Sequence, residues 1–195
     1  GTAYSAFSPR WLKCLSISGR CRSHMRRASS KLLTTKGIAS APAIGISLTM
    51  LVMMVSPAWA LPRVFAHRCG GALAPENTLA GLPIARALGL RAVEFDVMLS
   101  QDGVPVLIHD ETLDRCANSS GTVAALDGAL LMATDVGERF HHAFAGETIP
   151  SLHAALRRCR ELGLAANLEI KPAQGHEVET GRVVGRRLAS LMSAR

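Results

Sequence analysis

A chain of 195 residues with a formal charge of +7 has room for one sizeable domain, and its basicity raises the question of a nucleic-acid partner. The distribution of charge speaks against one: residues 1–60 hold Arg10, Lys13, Arg20, Arg22, Arg26, Arg27, Lys31 and Lys36 and no acid, while residues 61–195 hold 14 basic and all 15 acidic groups. The electrostatic footprint of a nucleic-acid binder is therefore missing from the domain itself. Five cysteines without paired spacing (Cys14, Cys21, Cys69, Cys116, Cys159) speak equally against a disulfide framework and a structural zinc site.

Residues 1–60 read as a leader. Basic Met25-Arg26-Arg27-Ala28 precedes an apolar run over residues 38–55, and Ala58-Trp59-Ala60 puts small residues at −3 and −1 of a cleavage site after Ala60. The run is only marginally long enough to span a bilayer, and Pro42, Gly45 and Ser47 weaken that reading. A third reading treats the leader as a spurious extension, because the chain begins with Gly1 and Met25, Met53 and Met54 each offer a start.

The domain, residues 61–195, opens with an expected first strand over residues 61–66 that ends in His67-Arg68, followed by a turn at Cys69-Gly70-Gly71. Pro75-Glu76-Asn77-Thr78 opens a helix with Asn77 or Thr78 as N-cap. Leu79, Leu82, Ala85 and Leu88 form its apolar stripe, and Gly89 is its stop. Pro83, inside that stretch, is expected to kink it or disturb its first turns.

In Arg91-Ala92-Val93-Glu94-Phe95-Asp96-Val97-Met98-Leu99 apolar residues alternate with two carboxylates, the period of a β-strand. Side chains two apart share a face, so Glu94 and Asp96 point the same way. Two carboxylates facing a core are costly unless a cation lies between them, and Mg2+ and Ca2+ are the hard ions that take such oxygens. The plainer alternative is an edge strand with two surface acids.

Ser100-Gln101-Asp102-Gly103 is a turn, and residues 104–108 are a third strand ending in His109-Asp110. The stretch from about residue 111 to 150 is too long for a βα loop and reads as an insertion with functional contacts, without a clear apolar cluster. Ser151 caps a helix to Leu162, with Gly163 as its stop. Residues 166–171 are a fourth strand ended by Pro172, and a last helix runs from about Glu177.

The order of elements implies a parallel sheet with crossover helices. Polar residues recur at C-terminal strand ends (His67, Arg68, Glu94, Asp96, His109, Glu169, Lys171), where βα barrels keep their active sites. A full barrel takes about 250 residues; residues 61–195 suffice for half.

Together these groups compose a phosphodiester-cleaving site. Glu94, Asp96 and Glu169 suit one hard cation, Arg68 and Lys171 a phosphate, and His67 and His109 an acid/base pair near neutral pH. Singly each has a duller explanation: a hydrogen-bonded structural histidine, a surface arginine, a weak Glu169–Lys171 ion pair. The joint arrangement carries the reading.

At this point the chain resembles the glycerophosphodiester phosphodiesterases. The matching segments are His67-Arg68, Pro75-Glu76-Asn77-Thr78, Glu94-Phe95-Asp96-Val97, Asp102-Gly103, His109-Asp110, Leu113-Asp114-Arg115, Ile149-Pro150-Ser151-Leu152 and Asn167-Leu168-Glu169-Ile170-Lys171, in the family's order. The resemblance implies a TIM (β/α)8 barrel of the phospholipase C-like phosphodiesterase type, with only the first half, about four strands, present. It implies that His67 and His109 are catalytic, that Glu94, Asp96 and Glu169 bind one Mg2+ or Ca2+, and that Arg68 and Lys171 bind phosphate. The implied reaction hydrolyses glycerophosphodiesters to glycerol 3-phosphate and an alcohol, as in glycerophospholipid catabolism.

Two departures stand out. The family has Gly after His-Arg, where this chain has Cys69; if the backbone there needs positive φ, a Cβ costs roughly 1 kcal/mol or more. The four further strands are also absent, so a half barrel with exposed edges is expected to be poorly stable. Two alternatives follow: a catalytically silent fragment, or a phospholipase D-like relative acting on intact or lyso-phospholipids. Trp59-Ala60-Leu61-Pro62-Arg63-Val64 resembles the beginning of short cytoplasmic members, so a start near Met53 or Met54 in a cytoplasmic protein is preferred over export. No stable membrane association of the domain is expected.

Overall fold

The computed structural model describes residues 12–17 and 62–193. Four strands form one sheet in the order β1-β4-β2-β3: β1 (Leu12–Ile17), β2 (Ala92–Leu99), β3 (Pro105–Leu107) and β4 (Ala165–Ile170). Around it lie α1 (Gly81–Ala87), α2 (Gly128–Ala133), α3 (Leu152–Leu162) and α4 (Glu177–Ser193). The cleavage site, the apolar run and the candidate starts of the leader lie outside the described residues. Among the described residues no helix is long and apolar enough to cross a membrane.

Strands β2 and β4 run parallel in the register Glu94↔Asn167 and Asp96↔Glu169. The backbone of β1 adds in parallel along the other edge of β4. Alternation along β2 and β4 sends Val93, Phe95, Val97, Ala166, Leu168 and Ile170 to one face, where all are buried against Leu82 and Ala85 of α1, Leu152, Ala155, Leu156 and Cys159 of α3, and Val184 of α4. Each fully buried side chain of the size of Phe95 or Leu168 stabilises this layer by about 1.5–3 kcal/mol. With the helices holding that face, Glu94, Asp96, Asn167 and Glu169 share the opposite one.

Three expectations change. The sheet is not wholly parallel: Asp102-Gly103, with Gly103 at φ 76°, turns the chain tightly, and β3 returns antiparallel to β2 through Val97↔Leu107 and Leu99↔Pro105. A turn this short can only join antiparallel neighbours, since a parallel crossover needs a dozen residues or more. The first strand shrinks to a single parallel bridge, Ala66↔Val93, fixed by Ala66 N–H to Ala92 O at 3.0 Å and Glu94 N–H to Ala66 O at 2.9 Å. The helix after the Cys69 turn has Ala80 at its N-cap, not Asn77 or Thr78, and runs from Gly81. Pro83 thus falls in its first turn, where the missing N–H has no partner to lose.

The stretch between β3 and α3 is folded, not loose. Two short 3-10 turns (Val123–Ala125, His142–Phe144), α2 and the bridges Thr112↔Thr122 and Asp135↔Thr148 organise it. Leu113, Ala117, Val123, Leu131, Val136 and Ile149 are buried together against Met98 and Val106. Its hydrophobic residues come from five short segments, which no single period can reveal. Ser151 Oγ accepts from Ala154 N–H at 3.2 Å and Gly163 takes the left-handed C-cap, as expected for α3.

Candidate active site

On the helix-free face of the sheet, oxygens of Glu94, Asp96 and Glu169 lie within 4.8 Å of one another. Register is the reason: Asp96 and Glu169 are paired neighbours across β2 and β4, and Glu94 stands two residues from Asp96 on the same face. Asp96 is buried, and the Glu94 side chain is only 13% exposed. Burial pushes the Glu94 carboxyl above its ordinary range; the Arg68 N–H opposes this, and the charges of Asp96 and Glu169 add to it.

Arg68 and Cys69 turn the chain over these acids in the left-handed region, at φ 50° and 74°. Arg68 N–H donates to Glu94 Oε2 at 2.9 Å, and Cys69 N–H to Glu94 O at 2.8 Å. Cys69 is fully buried, which holds its thiol well above the ordinary range and hence protonated. The position therefore does demand positive φ, and a side chain with a Cβ occupies it. The Arg68 guanidinium reaches Glu76 at 3.0 Å and lies 3.6 Å from Asp96. His67 stands outward, 71% exposed, with Nε2 3.9 Å from Glu94 Oε2.

His109, at the end of β3, is held on both nitrogens. Its Nδ1 lies 2.6 Å from Asp110 Oδ1, and its Nε2 meets the Lys171 ammonium. The structure thus brings the three acids together under Arg68, sets His67 beside Glu94, and joins His109 to Lys171 across the sheet.

Four participants were not singled out from sequence. Asn77, at φ 57°, is buried and binds Asp96 twice: its Nδ2 donates to Asp96 Oδ2 at 3.0 Å, and its Oδ1 accepts from Asp96 N–H at 3.1 Å. An N-cap and a carboxylate-orienting Asn look alike in sequence, so nothing local told them apart. Glu76, Asp110 and Arg115 form an ion-pair chain: Arg115 donates to both Glu76 oxygens at 2.6 and 2.7 Å and to Asp110 Oδ2 at 2.6 Å. The bond from Arg115 holds the Asp110 carboxyl down to about 2. Beside them opens a cleft of about 440 Å³ lined by Gly71, Ala74, Pro75, Glu76, Arg115 and Phe140, among others.

The model of the glycerophosphoryl diester phosphodiesterase family matches residues 67–194, the whole stretch that carries this arrangement. The chain belongs to that family. It is similar to the glycerophosphodiester phosphodiesterase of Caldanaerobacter subterraneus, at 40% identity over 108 residues covering 55% of this chain and 44% of the relative. It is similar also to mouse glycerophosphodiester phosphodiesterase 1, at 37% identity over 54% of this chain and 33% of the relative.

Among solved structures, an Oleispira antarctica phosphodiesterase in complex with the product sn-glycerol-3-phosphate superposes with TM-score 0.64 at 39% identity, covering 68% of this chain and 53% of that one. A glycerophosphodiester phosphodiesterase from Agrobacterium tumefaciens follows at TM-score 0.57 and 33% identity, covering 66% and 54%. The fold is accordingly part of the family's TIM barrel. The chain spans about half or less of the length of each of these relatives.

The residues of this family member fit a divalent cation. Three acids crowd one face with Arg68 as the guanidinium beside them, and Asn167 Oδ1, on that same face, is buried without a hydrogen-bond partner among the described residues. Carboxylate and amide oxygens at this spacing are the donor set that hard cations take.

Proposed function

We propose that this chain carries the catalytic half-site of a metal-dependent glycerophosphodiester phosphodiesterase, which releases glycerol 3-phosphate and an alcohol in glycerophospholipid catabolism. The convergence of Glu94, Asp96 and Glu169 within 4.8 Å beneath Arg68 is the observation that supports this reading most. In it the three acids hold one Mg2+ or Ca2+, which when bound polarises and neutralises a phosphoryl oxygen. Arg68, with its guanidinium held by Glu76 and beside Asp96, supplies positive charge for a phosphate. Lys171 supplies a second positive charge at the end of β4.

His67 and His109 serve as the acid/base pair, taking a proton from the attacking hydroxyl or water and returning one to the departing alkoxide. In this reading Asp110 holds His109 Nδ1, and Nε2, which meets the Lys171 ammonium, is the nitrogen that exchanges protons with substrate once Lys171 turns to the phosphate. The substrate class follows from the family and from the product bound by the Oleispira relative.

The deciding experiment measures choline release from glycerophosphocholine by the full chain, with and without a chelator. Chelator-sensitive turnover that falls by about 10³-fold or more in Glu94→Ala and His109→Ala is expected. Turnover unchanged by either substitution rejects the assignment, and no turnover in the parent chain marks it as catalytically silent. Release from lysophosphatidylcholine in preference to glycerophosphocholine would point instead to a phospholipase D-like specificity.

A further inference from the structure

The ion-pair chain beside the site joins elements that are distant in sequence. Glu76 lies on the loop before α1, Asp110 follows β3, and Arg115 belongs to the inserted stretch. Every polar nitrogen of the Arg115 guanidinium is committed: Nε to Asp110 Oδ2, and both terminal nitrogens to Glu76. Glu76 in turn takes Arg68 on the same two oxygens, at 3.0 Å each. Asp110 presents its other oxygen, Oδ1, to His109 Nδ1.

Two features decide which ring nitrogen carries the proton. A carboxylate can only accept, so the contact between Asp110 and Nδ1 requires Nδ1–H. The Lys171 ammonium can only donate, so its contact with Nε2 requires that nitrogen to be bare. Both demands select the same neutral tautomer. Arg115 is what fixes the Asp110 carboxylate in the pose that makes the first demand.

We propose that Arg115 is a positioning residue of the reaction: by clamping Glu76 and Asp110 together it locks His109 in the Nδ1–H tautomer with Nε2 turned to the site, and anchors Arg68 through the same Glu76. The inserted stretch then acts on the chemistry without touching the substrate. A planar fork with three separate bonding nitrogens is needed, which a lysine's point charge cannot replace. The inference rests on the reading of His109 as an acid/base group, but the tautomer can be measured without turnover.

The test uses the full chain labelled with 15N and long-range proton–nitrogen correlation of the histidine rings at about pH 8. His109 signals are identified by their loss in His109→Gln. The parent should show Nδ1–H. In Asp110→Asn, an isosteric change, Arg115 Nε requires the amide oxygen, so the amide NH2 faces Nδ1 and the ring must invert to Nε2–H. Lys171 opposes that inversion, but a flexible lysine yields more readily than an arginine held at three nitrogens. In Asp110→Asn with Arg115→Ala the amide is free to rotate, and Nδ1–H should return.

Retention of Nδ1–H in Asp110→Asn, or inversion that persists in the double variant, overturns the proposal. If the double variant does not fold, the comparison of parent with Asp110→Asn decides alone, because inversion requires an oriented amide. In parallel, kcat on glycerophosphocholine should fall by about 10- to 100-fold in Asp110→Asn with KM little changed, and recover partly in the double variant. The expected tautomer pattern in a chain without turnover supports the positioning role and counts only against the proposed function.

Discussion

Cys69 and Asn77 show how much a single backbone angle decides at this site. At φ 74° a residue with a Cβ is strained by about 1 kcal/mol or more relative to glycine, while burying its thiol returns a similar amount. Cys69→Gly should therefore leave stability within about 1 kcal/mol of the parent, whereas Cys69→Ala keeps the strain, loses the sulfur and should cost about 1 kcal/mol. Denaturant midpoints of the two variants check the order; alanine proving more stable than glycine would refute the strain argument. Asn77 occupies the same region at φ 57° and satisfies Asp96 from both sides. Asn77→Ala leaves a buried N–H and a buried carboxylate oxygen short of partners, which should destabilise the chain by about 1–3 kcal/mol in a urea titration.

At the scale of elements, the loop over the acids and the start of α1 are pressed together. A Cβ on Gly81 would lie 2.6 Å from Gly70 N and 2.9 Å from Cys69 C, both backbone atoms that cannot step aside. Gly81→Ala gains up to about 1 kcal/mol of helix propensity but must push the Arg68 loop off Glu94. A net destabilisation of about 1–3 kcal/mol is expected from overpacking of this kind, with weaker cation binding alongside. A gain in melting temperature would show that the loop has room to move. The same packing explains why α1 begins two or three residues later than the Pro75-Glu76-Asn77-Thr78 signal places it: Asn77 is drawn into Asp96, and a helix cannot start until the chain has left that contact.

For the whole molecule the carboxylates set the response to acid and to cations. Asp110, held at about 2 against an ordinary 3.8, and Glu76, held below its ordinary 4.5 by Arg115 and Arg68 despite burial, bind protons less readily folded than unfolded. Their stabilisation is complete above about pH 5 and is lost as pH falls toward about 2. Glu94 is displaced the other way, chiefly by burial, so its charge opposes folding above pH 4.5 and acidification relieves that opposition. Melting temperature should thus decline between pH 5 and 3, and decline less in Asp110→Asn.

Adding Mg2+ or Ca2+ at neutral pH should raise the melting temperature, by about 2.7 kcal/mol of stability at a concentration 100 times the dissociation constant. Chelation should reverse the gain. In Glu94→Gln the metal-free chain should melt no lower than the parent, because a buried charge is removed, while the response to cation is largely lost. A full cation response in that variant would remove Glu94 from the coordination set.

Much of this was legible in the residues. The alternation of Val93, Phe95 and Val97 with Glu94 and Asp96 determined a strand with one apolar and one acidic face, because side chains two apart must share a side. Ser151 and Gly163 delimited α3 for reasons of backbone hydrogen bonding that are equally local. Pairing decided the rest. Nothing in one strand's sequence says which neighbour it meets, so Glu169 beside Asp96, the antiparallel return of β3 and the reduction of the first strand to Ala66 emerged only from the assembled sheet. The Glu76–Arg115–Asp110 chain is of the same kind: its members are ordinary surface charges until three separate turns of backbone bring them within 3 Å, and long-range contact is what periodicity cannot record.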